Sequence, residues 1–196
     1  MFIREIALAT SEGADLDAYP FTLPAIAKLG VIELDRPVTI LIGPDGVGKS
    51  TLIEAVAVAA GLEGVSATRS SLWRHLRLVR DEPRPYSGGL LRAEHLLDPS
   101  MTGRDGLYLL DEPEIGLTIA QQLSLVRRMH ALSHQRSQFL VATHSPVIVA
   151  LPGARIYEAG DWGVQPVEFA DTPQYDLARA FVADPSRIVD HLLGPS

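Results

Sequence analysis

The sequence predicts an α/β fold, a mainly parallel sheet with flanking helices, preceded by N-terminal antiparallel strands. Two observations carry that prediction. Apolar runs of strand composition, Val38–Ile42, Leu107–Leu110 and Gln138–Ala142, alternate with the helical stretches Lys49–Ala60 and Thr118–Arg136. Strands that read as continuous apolar runs are buried on both faces, as parallel strands covered by helices are. The length of 196 residues fits one domain, taken as residues 1–196.

The elements follow in order. Phe2–Ala9 reads as a strand, residues 10–24 as a loop rich in Gly, Asp and Pro, and Pro24–Leu29 as a short helix. Val31–Leu34 and Val38–Ile42 are strands separated by the turn Asp35-Arg36-Pro37. Lys49–Ala60 is an Ala/Val-rich helix closed by Gly61. In Ser70–Arg80, Leu72, Leu76 and Val79 stand at helical spacing. Residues 81–106 hold three prolines and four glycines and read as the least regular stretch; a reduced helical insertion is expected over about 62–106. Thr118–Arg136 is the longest expected helix, with Ile119, Leu123, Val126, Met129 and Leu132 along one face. Arg155–Glu158 and Val164–Phe169 read as a closing hairpin, and Gln174–Ala183 and Ser186–Leu193 as C-terminal helices.

Composition excludes several classes. Seventeen Lys and Arg against 24 Asp and Glu give a net charge of -7, which argues against a dedicated nucleic-acid binder and leaves only a local basic patch open. With no cysteine, disulfides, thiolate metal sites and a cysteine nucleophile are excluded. No apolar run approaches the roughly 18 residues of a membrane span. Met1-Phe2-Ile3-Arg4-Glu5 brings an acid at once, unlike a signal peptide. A soluble, cytoplasmic protein is expected.

The chemistry sits in three segments. Gly43-Pro44-Asp45-Gly46-Val47-Gly48-Lys49-Ser50-Thr51 fits G-x-x-x-x-G-K-[ST], between a strand and a helix. In such a loop the glycines let backbone N–H groups turn inward around an anion, helped by the positive end of the following helix. Lys49 supplies a point charge to the β- and γ-phosphates and Ser50 a hydroxyl to Mg²⁺, so binding of a nucleoside triphosphate is expected. Next, Leu107-Tyr108-Leu109-Leu110-Asp111-Glu112-Pro113-Glu114 is an apolar strand ending in acids. Asp111 would orient the Mg²⁺ shell beside Ser50, and Glu112 would take the proton of an attacking water. The third, Ala142-Thr143-His144-Ser145-Pro146, follows the next strand and puts His144 where it can contact the γ-phosphate. Asp45 occupies a variable loop position and is expected to point outward.

These residues resemble the ATP-binding-cassette class of P-loop ATPases in its soluble, non-transporter, SMC-like branch. The match is closer to a family of small bacterial AAA-type ATPases, through Tyr19-Pro20-Phe21, Leu23-Pro24-Ala25, Leu91-Arg92-Ala93-Glu94 and Asp171-Thr172-Pro173-Gln174-Tyr175. The resemblance implies a P-loop NTPase fold, ATP and Mg²⁺ as ligands, slow hydrolysis and an ATP-dependent homodimer. It also implies that Glu94 stands at the Q-loop position, where the wider class has Gln. In that class a Ser-Gly-rich signature separates Q-loop from Walker B. Only 16 residues separate Glu94 from Asp111 here, with no Ser-Gly-Gly or Ser-His-Gly run among them. Tyr86-Ser87-Gly88-Gly89 precedes Glu94 and reads as a turn. The chain therefore reads as a shortened member, with an ATP-binding switch or degenerate paralogue without hydrolysis, or a transporter's ATP-binding subunit, as alternatives.

Smaller signals have ordinary readings. Arg69, Arg74, Arg77 and Arg80 with Trp73 form a basic run that reads as a solvated helix face with Trp73 packed inward. His130 and His134 stand four apart but lack the further ligands of a zinc site.

Overall fold

The computed structural model describes residues 1–9, 15–62, 70–81, 85, 87–98 and 103–193. In chain order the elements are β1 (Ile3–Leu8), α1 (Pro24–Ala27), β2 (Val31–Glu33), β3 (Val38–Ile42), α2 (Lys49–Ala60), a 3₁₀ turn (Leu72–His75), β4 (Leu76–Arg80), β5 (Ser87–Leu91), α3 (Ala93–Leu97), β6 (Gly106–Asp111), α4 (Ile119–Ser133), β7 (Gln138–Ala142), α5 (Pro146–Val149), β8 (Arg155–Gly160), β9 (Gly163–Val167), a second 3₁₀ turn (Phe169–Asp171), α6 (Pro173–Ala183) and α7 (Pro185–Leu193).

The larger sheet runs β5-β6-β7-β3-β8-β9, parallel throughout except for the edge hairpin β8–β9. The smaller is the antiparallel set β2-β1-β4. This is the expected α/β arrangement with N-terminal antiparallel strands.

The central strands are apolar because they are buried on both faces. Leu41, Leu107, Leu109, Leu140 and Ala142 join the core shared with α2 and the small sheet. Their neighbours Ile40, Ile42, Leu110 and Val141 join the core under α3, α4 and α5. Gln138, at the start of β7, ties the two sheets together. Its Oε1 accepts from the backbone N–H of Phe2 (2.8 Å) and Ile3 (2.9 Å), and its Nε2 donates to the Ile3 carbonyl (2.6 Å).

Three expectations are corrected. Ser70–Arg80 is no helix but a 3₁₀ turn followed by edge strand β4. Leu76 and Leu78 pack against the core while Arg77 is exposed, so the governing period is two, and the spacing of Leu72, Leu76 and Val79 was a coincidence. Trp73 does pack against the core, with Arg74 over its ring, and Arg80 donates to the Ala59 and Ala60 carbonyls at the end of α2. Arg69 lies outside the described residues, as does Tyr86.

Ser87-Gly88-Gly89, expected as a turn, opens strand β5. A Cβ at Gly88 would run into the Leu107 carbonyl, so glycine serves close packing of β5 on β6. On α4 the buried residues are Leu125, Met129 and Leu132, with Val126 packed beside them. Ile119 and Leu123 are 68% and 57% exposed. At about 3.6 residues per turn the buried trio shares an arc that those two fall outside. His130 and His134 lie within one helix end, where His134 Nδ1 is 2.8 Å from the His130 carbonyl oxygen.

Candidate functional site

The site forms where strands β3, β6 and β7 end side by side, the usual place for ligands in open α/β sheets. After β3 the chain turns through the loop from Gly43 to Gly48 into α2. Gly43 has φ 140°, and a Cβ there would strike the Ala159 carbonyl, so the turn requires glycine. Gly48, with φ 115°, caps the first turn of α2.

Lys49 is buried and its Nζ donates to the carbonyls of Gly43 (2.8 Å) and Pro44 (2.9 Å), curling back over the loop. Burial lowers its pKa, opposed by the nearby carboxylates of Asp45, Glu112, Asp111 and Glu114. Ser50 Oγ donates to Asp111 Oδ1 at 3.0 Å, across from α2 to the end of β6. Burial raises the pKa of Asp111 against the lowering effect of that hydrogen bond, and the neighbouring carboxylates of Glu112 and Glu54 raise it further. A hydroxyl and a carboxylate in contact beside a glycine-rich loop are hard oxygen donors of the kind Mg²⁺ takes. The residues present fit that ion.

Glu112 adopts φ 45°, a left-handed conformation uncommon outside glycine, and its N–H donates to the Ala142 carbonyl at 2.8 Å. The carboxylate is thereby presented beside the end of β7. His144 Nε2 lies 3.8 Å from Glu112 Oε1 and 3.1 Å from Asp45 Oδ1. Asp45 points outward as expected, its side chain 93% exposed, and its carboxylate also reaches across to His144.

A small cleft at this point is lined by Tyr19, Leu23, Asp45, Lys49, Ser50 and Glu112, among others. Thr51, also on the cleft, lies 3.4 Å from the Tyr19 hydroxyl through its Oγ1. Tyr19 is the residue sequence reasoning left without a role. Its only signal in the sequence is an aromatic in the segment leading to the loop. Val47, expected in the loop, is buried against Ala25 and Ala159 and supports the loop from behind. Glu94 is exposed in the first turn of α3, just past the end of β5, and does not line the cleft. A larger cleft, between Phe2, Ala60, Arg80 and Gly88, lies at the far end of α2 and contains none of these groups.

The family model described as "AAA domain, putative AbiEii toxin, Type IV TA system" matches residues 89–150. Among curated proteins, a tRNA dimethylallyltransferase from Syntrophobacter fumaroxidans is 33% identical over 85 residues, 43% of this chain. The chain spans only about a quarter of that protein's length, 24%. A solved SMC head bound to the C-winged helix domain of ScpA superposes with a TM-score of 0.51 at 13% identity, over 85% of this chain and 97% of the other. The SMC head domain from Thermotoga maritima gives 0.49 at 14% identity over 86% and 100% of the two chains.

The chain shares the fold of the SMC head bound to the C-winged helix domain of ScpA. Its loop from Gly43 to Thr51 has the G-x-x-x-x-G-K-S/T pattern between a strand and a helix. Among the described residues, no helix is long and apolar enough to cross a membrane.

Proposed function

We propose that this chain binds and slowly hydrolyses ATP with Mg²⁺, as a single cytoplasmic domain over residues 1–196. The observation that carries the reading is the meeting of Ser50 and Asp111 at 3.0 Å beside a buried Lys49. A loop, a lysine, a hydroxyl and a carboxylate from two separate strand ends are what one half of an ATPase site requires.

Backbone N–H groups from Asp45 through Thr51 cradle the phosphates, with Gly43, Pro44, Asp45, Gly46, Val47 and Gly48 forming the turn. Lys49 Nζ leaves the Gly43 and Pro44 carbonyls for phosphate oxygens. Ser50 and Asp111 hold Mg²⁺, which when bound neutralises charge developing on the phosphates. Glu112 accepts the proton of the attacking water as its oxygen bonds to the γ-phosphorus and the bond to ADP breaks. His144 contacts the γ-phosphate. Because Asp45 holds a negative charge 3.1 Å from His144, the γ-phosphate displaces that carboxylate to reach its partner. The exposed ring of Tyr19 at the cleft offers a stacking face for the base, and Glu94 acts as a Q-loop residue at the sheet edge.

ATP-dependent pairing of two copies agrees with the apolar residues Ile115 and Ile119, exposed just beyond the Glu112 turn. Phosphate release by wild type and Glu112→Gln, each with Mg²⁺ and ATP, tests the reading. Release that the substitution abolishes supports an ATPase. Nucleotide binding without release in either protein supports instead an ATP-gated switch.

A further inference from the structure

We infer that Glu114 is the positioning residue that sets the place of His144, an inference that rests on the ATPase reading and deepens it. The fourth residue of Asp111-Glu112-Pro113-Glu114 has no part in phosphate, metal or water chemistry as described above. Its two carboxylate oxygens are nevertheless both engaged. Oε2 accepts from Thr143 Oγ1 at 2.7 Å, and Oε1 accepts from the backbone N–H of His144 at 2.6 Å. Hydrogen bonds to an ionised acceptor are short and about twice as strong as neutral ones.

The two donors are consecutive residues of the loop after β7, so one carboxylate fixes both. Thr143 is fully buried, and its Oγ1 accepts in turn from the Ser145 N–H at 3.0 Å. Glu114 itself is held by its own turn, where the Leu117 N–H donates to its carbonyl at 2.9 Å. A second tie lies alongside. Ser145 Oγ donates to Gln122 Oε1 at 2.6 Å, and Gln122 Nε2 donates to the Leu117 carbonyl at 3.2 Å. The segment following the Asp111 strand thereby grips residues 143–145 through side chains alone.

The His144 ring must reach a phosphate oxygen to within about 3.2 Å, a tolerance well under an ångström. The backbone of His144 sets where that ring starts, and Glu114 holds that backbone. A carboxylate suits the task because both partners are donors. A glutamine can still serve, since its carbonyl accepts from His144 while its amide donates to Thr143 Oγ1.

The test compares Glu114→Ala and Glu114→Gln in the full chain, each with His144 intact and with His144→Ala. Glu114→Ala should lower kcat by about tenfold to a hundredfold, the range set by sub-ångström misplacement. ATP affinity should stay within about twofold, since uniform binding is untouched. Glu114→Gln should restore most of the rate, and Glu114→Ala should cost nothing further once His144 is gone. Equal losses with and without His144, or no rescue by Gln, would overturn the inference. Should Glu114→Ala fail to fold, Thr143→Val removes one of the two donors and should give an intermediate loss of kcat; no loss would overturn it.

An independent readout is the His144 amide in ¹⁵N-labelled protein. It should resonate downfield and move in Glu114→Gln, and an unmoved amide would overturn the inference. That signal needs no turnover. A chain that hydrolyses no ATP would therefore refute the ATPase reading while the amide still judges Glu114.

Discussion

Replacing Gln138 by Leu should loosen the small antiparallel sheet from the body of the protein. The side chain is nearly isosteric, so packing volume is kept and only hydrogen bonds are lost. Three go at once: Phe2 N–H, Ile3 N–H and the Ile3 carbonyl lose their partner, at 2.8, 2.9 and 2.6 Å. Phe2 and Ile3 are 7% and 1% exposed, so water does not readily replace what is removed. A buried donor left unsatisfied costs about 1–3 kcal/mol. Two such donors, with some relaxation, come to roughly 3–4 kcal/mol. That is a large part of a typical stability of about 5–15 kcal/mol. At about 2–4 °C per kcal/mol for a chain of this size, the melting temperature should fall by roughly 10 °C. Urea unfolding followed by circular dichroism measures the loss directly, and an unchanged m-value would show that the two end states kept their compactness. A loss below about 1 kcal/mol would refute the reasoning, because that is the worth of one ordinary hydrogen bond.

Other outcomes follow from the site. Asp45→Asn should tighten ATP binding several-fold in a fluorescence titration, since a carboxylate no longer competes with the γ-phosphate for His144. Tyr19→Ala should weaken binding by about tenfold, the effect of losing a contact of 1–3 kcal/mol per stacked base. Gly43→Val should prevent nucleotide binding and lower the melting temperature, because φ 140° and the Ala159 carbonyl both exclude a side chain. Asp111→Asn should stabilise the nucleotide-free protein while abolishing hydrolysis. Burial raises the Asp111 pKa, so its ionised form costs the folded state. Stability is greatest below the unfolded pKa and is lost as pH rises through the raised folded one. The advantage of Asn, read as a difference in melting temperature, should therefore shrink as the pH is lowered through that interval.

The parts of the fold that were legible in the sequence are those where one physical demand fixes the residues. Burial on both faces makes Val38–Ile42 and Gln138–Ala142 apolar throughout, and both strands occur where expected. A glycine-rich turn between a strand and a helix needs its glycines at fixed places, so the strand–loop–helix course from Val38 through Gly43 and Gly48 into α2 could be read directly. The meeting of Ser50 with Asp111 was likewise foreseeable from two strand ends in one sheet.

Where two demands overlap, the sequence is ambiguous. Leu72, Leu76 and Val79 satisfy a helical period and Leu76 and Leu78 a strand period, and only pairing with β1 decides between them. Ser87-Gly88-Gly89 reads as a turn because glycine favours turns, whereas here it lets β5 lie close on β6. The reach of Asp45 to His144 and the grip of Glu114 on residues 143 and 144 depend on loops far apart in sequence. No local pattern encodes such contacts.

Calorimetric titration of ATP with Mg²⁺ into wild type and Lys49→Ala tests the central claim most directly. Saturable binding of one nucleotide per chain, lost with the lysine, is the predicted result. Absence of binding in wild type, or binding that Lys49→Ala leaves unchanged, would contradict it.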